Sequence, residues 1–185
     1  MNNSKNELKK YLDDRAKNLY QRIIQSNLAT PERVKGCSSS EIAQIEQTYN
    51  LSLPYSYKVF LRHFGHSIGG IANDVEFLYP SPLLLTQDMR DAEREMQEEG
   101  EISSEELLPP NAFIFAMRQR MQSWYFLASK GVEDPAVFYD SGDGIGVKTH
   151  ESIFDLWEAE VKLEEELLLK KRKERERRRE QKEEG

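Results

Sequence analysis

The chain has 185 residues, 38% of them hydrophobic, with 33 Asp/Glu against 26 Lys/Arg and a net charge of −7. That size predicts one domain with appendages. The single cysteine, Cys37, excludes an intramolecular disulfide and fits a reducing compartment. The start, MNNSKNELKK, lacks the apolar run of a secretory signal, and no stretch approaches the ~18 apolar residues of a membrane span. The expectation is a cytoplasmic protein.

Residues 4–27 predict an amphipathic helix with Leu8, Leu12, Leu19, Ile23 and Ile24 on one stripe. A linker with Pro31 and Gly36 follows. Ser38 and Glu41 have the spacing of a capping box, in which each side chain satisfies the other residue's free backbone N–H. Ile42, Ile45 and Tyr49 then mark one helical face, and Asn50 is a left-handed stop. Pro54 can open a second helix, because its missing N–H falls among the unpaired first-turn donors. Tyr57, Phe60, Leu61 and Phe64 are that helix's buried face, and Gly65 ends it.

Farther on, Val75–Tyr79 reads as a strand closed by Pro80 and Pro82. Residues 86–99 read as a helix with Met89, Ala92 and Met96 inward and its acids outward. Pro109-Pro110 breaks the chain. Ala112–Ala116 and Trp124–Ala128 read as a strand pair, and Ala136–Tyr139 with Ile145–Val147 as a hairpin around Ser141-Gly142-Asp143-Gly144. Ser152 caps a last helix that runs into a charged tail with no apolar residue beyond Leu169. That tail is expected to be a solvated, fraying helix. The fold class is therefore α+β, a mostly antiparallel sheet of about 4–6 strands with helices packed around it. The expected division is a helical segment over 1–30, a domain over 31–165 and a charged tail over 166–185.

Several of these segments together resemble the SUKH superfamily, the cell-wall-assembly-regulator-like proteins. The resemblance rests on Glu41-Ile42 with Glu46, on Leu53-Pro54-x-x-Tyr57-x-x-Phe60-Leu61, and on Gly65 and Gly69-Gly70. It continues through Trp124-Tyr125-Phe126, Pro135-x-Val137-Phe138-Tyr139 and Ser152-x-Phe154-x-x-Trp157, so it covers roughly 38–161. The shared positions, Ile42, Leu53, Pro54, Tyr57, Phe60, Leu61, Val137 and Trp157, are structural ones in the family. Many members are bacterial immunity proteins that neutralise toxins, commonly nucleases. The resemblance implies a stoichiometric inhibitor with no catalytic residues and no cofactor. The other implied role is an intracellular scaffold of the cell-wall-regulator type.

The residues themselves offer little chemistry. His63 and His66 stand three apart, but Gly65 ends the helix between them and no third ligand is near in sequence, so two ordinary helix-end histidines are expected rather than a metal site. Cys37 precedes a helix N-terminus, where a thiolate gains stability, yet no cysteine-protease pattern accompanies it, and an inert, partly buried thiol is expected. Gly142-Asp143-Gly144-Ile145-Gly146 lies between two strands rather than between a strand and a helix, which favours a turn over a phosphate loop.

Charge points to binding. Residues 170–185 carry nine Lys/Arg and five Glu, a net +4, which leaves −11 on the rest of the chain. Residues 86–106 hold nine acids against Arg90 and Arg94. Such a body disfavours direct nucleic-acid binding and favours a basic protein partner. Nuclease active sites are basic because they hold phosphates, and carboxylates on an inhibitor speed encounter with them. Asp91, Glu95, Glu98 and Glu99 are the first candidates for such a surface. Asp140 and Asp143, at a hairpin tip, are the second. No membrane contact is expected, and the sequence leaves the oligomeric state open.

Overall fold

A computed structural model describes residues 2–142 and 146–183. Five α-helices surround a four-stranded antiparallel sheet and a short two-stranded one. The helices are α1 (Asn2–Gln25), α2 (Ser39–Tyr49), α3 (Tyr55–Phe64), α4 (Leu85–Glu98) and α5 (Ile153–Glu183). The short sheet pairs β1 (Val34–Lys35) with β2 (Ser67–Ile68). The main sheet runs in order through β3 (Ala112–Arg118), β4 (Gln122–Leu127), β5 (Val137–Asp140) and β6 (Val147–His150). The fold is α+β, with a long C-terminal helix.

Local signals fixed the first helical pair. Ser38 Oγ accepts from Glu41 N, and a Glu41 carboxylate oxygen accepts from Ser38 N at 2.8 Å, a complete capping box. Asn50 sits in the left-handed region at φ 48°, where its short polar side chain lowers the cost. Pro54 is the N-cap of α3. Gly65 ends α3 with an ordinary right-handed φ of −61°, so backbone freedom is not why it is glycine. A Cβ there would stand 2.4 Å from Cys37 Sγ, so the glycine makes room for the sulfur.

The sheet separates two cores. On one face, Phe113, Phe115, Phe126 and Val137 pack against Tyr57 and Phe60 of α3 and Trp157 of α5. Tyr57 lies at the centre, with ring centroids 5.4–5.8 Å from Phe113, Phe115 and Phe126. A register shift between Ile114 and Ala116 turns both Phe115 and Ala116 to this side. On the other face, α4 covers Ala112, Ile114, Met117 and Tyr125 through Leu85 and Met89.

The N-terminal helix is part of the main core. Leu12, Ala16, Leu19 and Ile23 are buried in it. Arg15 bridges to α5 through Asp155 at 2.7 Å and Glu158 at 2.8 Å. One turn pair farther on, Arg22 grips Glu165 with two hydrogen bonds. Ser152 caps α5, its hydroxyl accepting from Phe154 N at 3.2 Å and donating to Asp134 at 2.8 Å. From residue 170 to residue 181 the α5 side chains are all exposed.

Two expectations need correction. Val75–Tyr79 is not a strand. It touches the sheet through a single bridge, Glu76 with Met117, because Phe77 turns away to pack 4.3 Å from the Trp157 ring. Conversely, the linker after residue 30 contains β1, whose two residues are too short to show a period of two. The proposed Ile145 strand start and Asp143 lie outside the described residues.

Candidate protein-binding face

Helix α4 presents two surfaces of different chemistry. Glu95, Glu98 and Glu99 are exposed. Their carboxylates have no ion-pair partner among the described residues. Asp91, partly exposed, accepts from Gln87 at 3.0 Å and pairs with Arg94. This acidic ridge is the one the charge pattern predicted.

Glu93 departs from that pattern. It was expected to face outward with the other acids, but it is only 6% exposed. Its carboxylate accepts from Leu108 N at 2.6 Å and pairs with Arg90 at 2.8 Å. Arg90 in turn donates to the carbonyls of Leu108 and Pro109. The pair ties the 99–110 loop to α4.

The apolar side of α4 is not fully covered. Met89, Ala92, Met96 and Ile102, with the acids Glu93 and Glu106, line an open groove of about 440 Å³. Arg120 and Met121, from the β3–β4 turn, line it as well. Met121 is 66% exposed. The turn holds Gln119 and Arg120 at φ 52° and 56°, and Met121 N donates to Arg118 O at 3.2 Å, the positive-φ pair of a tight hairpin turn. Flexible methionine side chains suit a surface that adapts to what it binds.

Asp140 is placed differently from expectation. It lines this groove but is 3% exposed, so it is no exposed hairpin-tip carboxylate. It accepts from Gly142 N at 3.0 Å, which is turn chemistry. Burial, together with this neighbouring carboxylate, raises the Tyr125 phenol above its ordinary value. Gly146 leaves room for the Tyr125 hydroxyl, which a Cβ would meet at 1.7 Å. The glycine-bearing segment joins β5 to β6, two paired antiparallel strands, so it opens no helix to cradle a phosphate.

The histidines do not converge on one another. His66 Nε2 contacts Glu41 at 3.0 Å, whereas His63 lies among Arg62, Asp13 and Lys17. Burial, reinforced by Arg62, holds His63 below the ordinary imidazole value of 6.5. The unfolded chain then takes up its proton at higher pH than the fold does. Stability should therefore fall as pH drops from about 6.5 through the lower folded value. Thermal midpoints measured between about pH 7 and pH 5 should fall more steeply for the native chain than for His63→Gln. Parallel curves would remove this account. Burial, with the Glu41 charge second, pushes the Cys37 thiol up to about 11, which makes it a poor nucleophile at neutral pH.

The positions shared with the family pattern meet in space. Ile42, Leu53, Pro54, Tyr57, Phe60, Leu61, Val137 and Trp157 are all buried. A family model, the SMI1 / KNR4 family (SUKH-1), matches residues 36–158, well over half of the chain. The chain belongs to this family. No curated protein matches it significantly. SUKH-1 proteins are associated with protein–protein interaction, which agrees with a face built from an acidic ridge and an apolar groove. The match leaves out α1 and α5 beyond residue 158. Among the described residues no helix is long and apolar enough to cross a membrane.

Proposed function

We propose that this SUKH-1 protein is an immunity protein of the cytoplasm. It binds a cognate toxin domain, a nuclease with a basic active-site surface, and neutralises it by stoichiometric occlusion rather than by catalysis. The observation that carries the reading is the pairing on α4 of unpartnered carboxylates with the open methionine-lined groove. The carboxylates supply steering and register, and the groove supplies apolar area for an anchor residue of the toxin. A nuclease covered in this way loses access to phosphates, so inhibition needs no chemistry from the inhibitor.

Changing Asp91, Glu95 and Glu98 together to lysine is expected to weaken toxin binding at least about 100-fold, mainly through slower association. Folding should change little, since Glu95 and Glu98 are exposed and Asp91 gives up only a partly exposed pair with Arg94, worth about 0–1 kcal/mol. Unchanged affinity and unchanged salt dependence would remove the acidic face from the account.

The second reading is a regulatory scaffold. It is favoured by the α5 arm, whose residues 170–181 bear a net positive charge and are exposed throughout. The two readings differ on that arm. Deleting 170–185 leaves an immunity complex intact and abolishes a scaffold contact made through it.

A further inference from the structure

Three side chains that are far apart in sequence converge at the N-terminus of α2. Cys37 Sγ, a Glu41 carboxylate oxygen and an imidazole nitrogen of His66 all lie within 4.8 Å of one another. We propose that they bind one zinc-type divalent cation, with the fourth position open to water.

The chemistry of the set selects the ion. Thiolate and imidazole ligands suit zinc, whereas calcium and magnesium take oxygen. Zinc ligands stand about 2.0–2.3 Å from the metal, so tetrahedral neighbours are roughly 3.5 Å apart. Closing the triad onto an ion therefore needs movements of about 1 Å. His66 Nε2 and Glu41 Oε1 are already 3.0 Å apart.

The backbone holds all three in place. Cys37 N donates to Leu61 O at 2.8 Å, and His66 N donates to Lys35 O at 2.9 Å. Glu41 uses Oε2 for Ser38, through the Ser38 N–H and hydroxyl, and so keeps Oε1 for the metal. The His66 ring rests edge-on against Tyr79, whose hydroxyl is fixed on Gln44 at 2.7 Å. Gly65 gives the sulfur its space. Outer contacts of this kind orient metal ligands and sharpen affinity. Cys37 is buried, Glu41 half-buried and His66 exposed, so the fourth position faces solvent. Binding converts the Cys37 thiol to a metal-bound thiolate and releases one proton to water. The ion would clamp the β1–α2 connection to the end of α3.

The test is cobalt(II) titration of the full, reduced chain. One equivalent should bind with a thiolate-to-cobalt charge-transfer band, zinc should displace it, and zinc should raise the melting temperature. Cys37→Ser should abolish the band, and His66→Asn should weaken binding at least about tenfold. Glu41→Gln keeps the capping box, since glutamine serves at that position, and should also weaken binding at least about tenfold without unfolding α2. His63→Asn should change nothing. Cobalt bound without the charge-transfer band would overturn the site, as would equal affinity in the His66 and Glu41 variants.

Discussion

Replacing Trp157 by alanine is expected to destabilise the protein by about 3–5 kcal/mol, the range for removing a large aromatic from a core. The indole is fully buried, stacks on Phe60 at 4.9 Å with planes 10° apart, and touches Phe77 at 4.3 Å. It joins α5 to α3 and holds the 71–80 segment down through Phe77. A loss of this size approaches the whole stability of many domains, about 5–15 kcal/mol. Trp157→Phe separates packing from polarity. Among the described residues the buried indole N–H has no hydrogen-bond partner, so phenylalanine removes a buried donor while keeping most of the stack. Its cost should stay below about 2 kcal/mol. Denaturant unfolding of both variants measures this, and equal costs would mean that the N–H is bonded after all.

Deleting residues 1–26 should unfold the protein, although the family match begins only at residue 36. The deletion strips Leu12, Leu19 and Ile23 from the main core, each 0–2% exposed. At about 1.5–3 kcal/mol per large side chain, these three alone approach the stability of a typical domain. It also leaves Asp155, Glu158 and Glu165 without the arginines that pair with them. Those acids are partly exposed and can rehydrate, so the apolar loss dominates. The shortened chain should lose near-ultraviolet circular dichroism and cooperative melting. A cooperative transition within a few degrees of the native one would show that α1 is an appendage.

What the sequence made legible was local. The Ser38–Glu41 capping box, the Asn50 stop and the apolar face of α3 each rest on contacts between residues a turn or two apart. Gly65 was placed correctly as a helix end, but its reason is the sulfur of Cys37, an element away. The Val75–Tyr79 segment has strand composition, yet the pocket beside Trp157 claims Phe77 and pulls the chain off the sheet. Glu93 was indistinguishable from its acidic neighbours because its partners, Leu108 N and Arg90, become visible only when the loop folds back. The His63–His66 spacing drew attention to the wrong pair. The ligand-like set joins His66 to Glu41, 25 positions earlier, and no periodicity records that. On α4 the charge count found the acidic ridge, while the groove behind it depends on where the β3–β4 turn places Met121.

The central claim, that the α4 face binds a basic toxin domain, is tested most directly by affinity capture from the native host. The bait would be either the native chain or the Asp91, Glu95 and Glu98 to lysine variant, with partners identified and quantified by mass spectrometry. The account predicts that the native bait recovers one large multidomain protein in equal amount, bound through a basic C-terminal domain, and that the variant loses it. Recovery of the same partners by both baits, or of several regulatory proteins and no toxin, would contradict it.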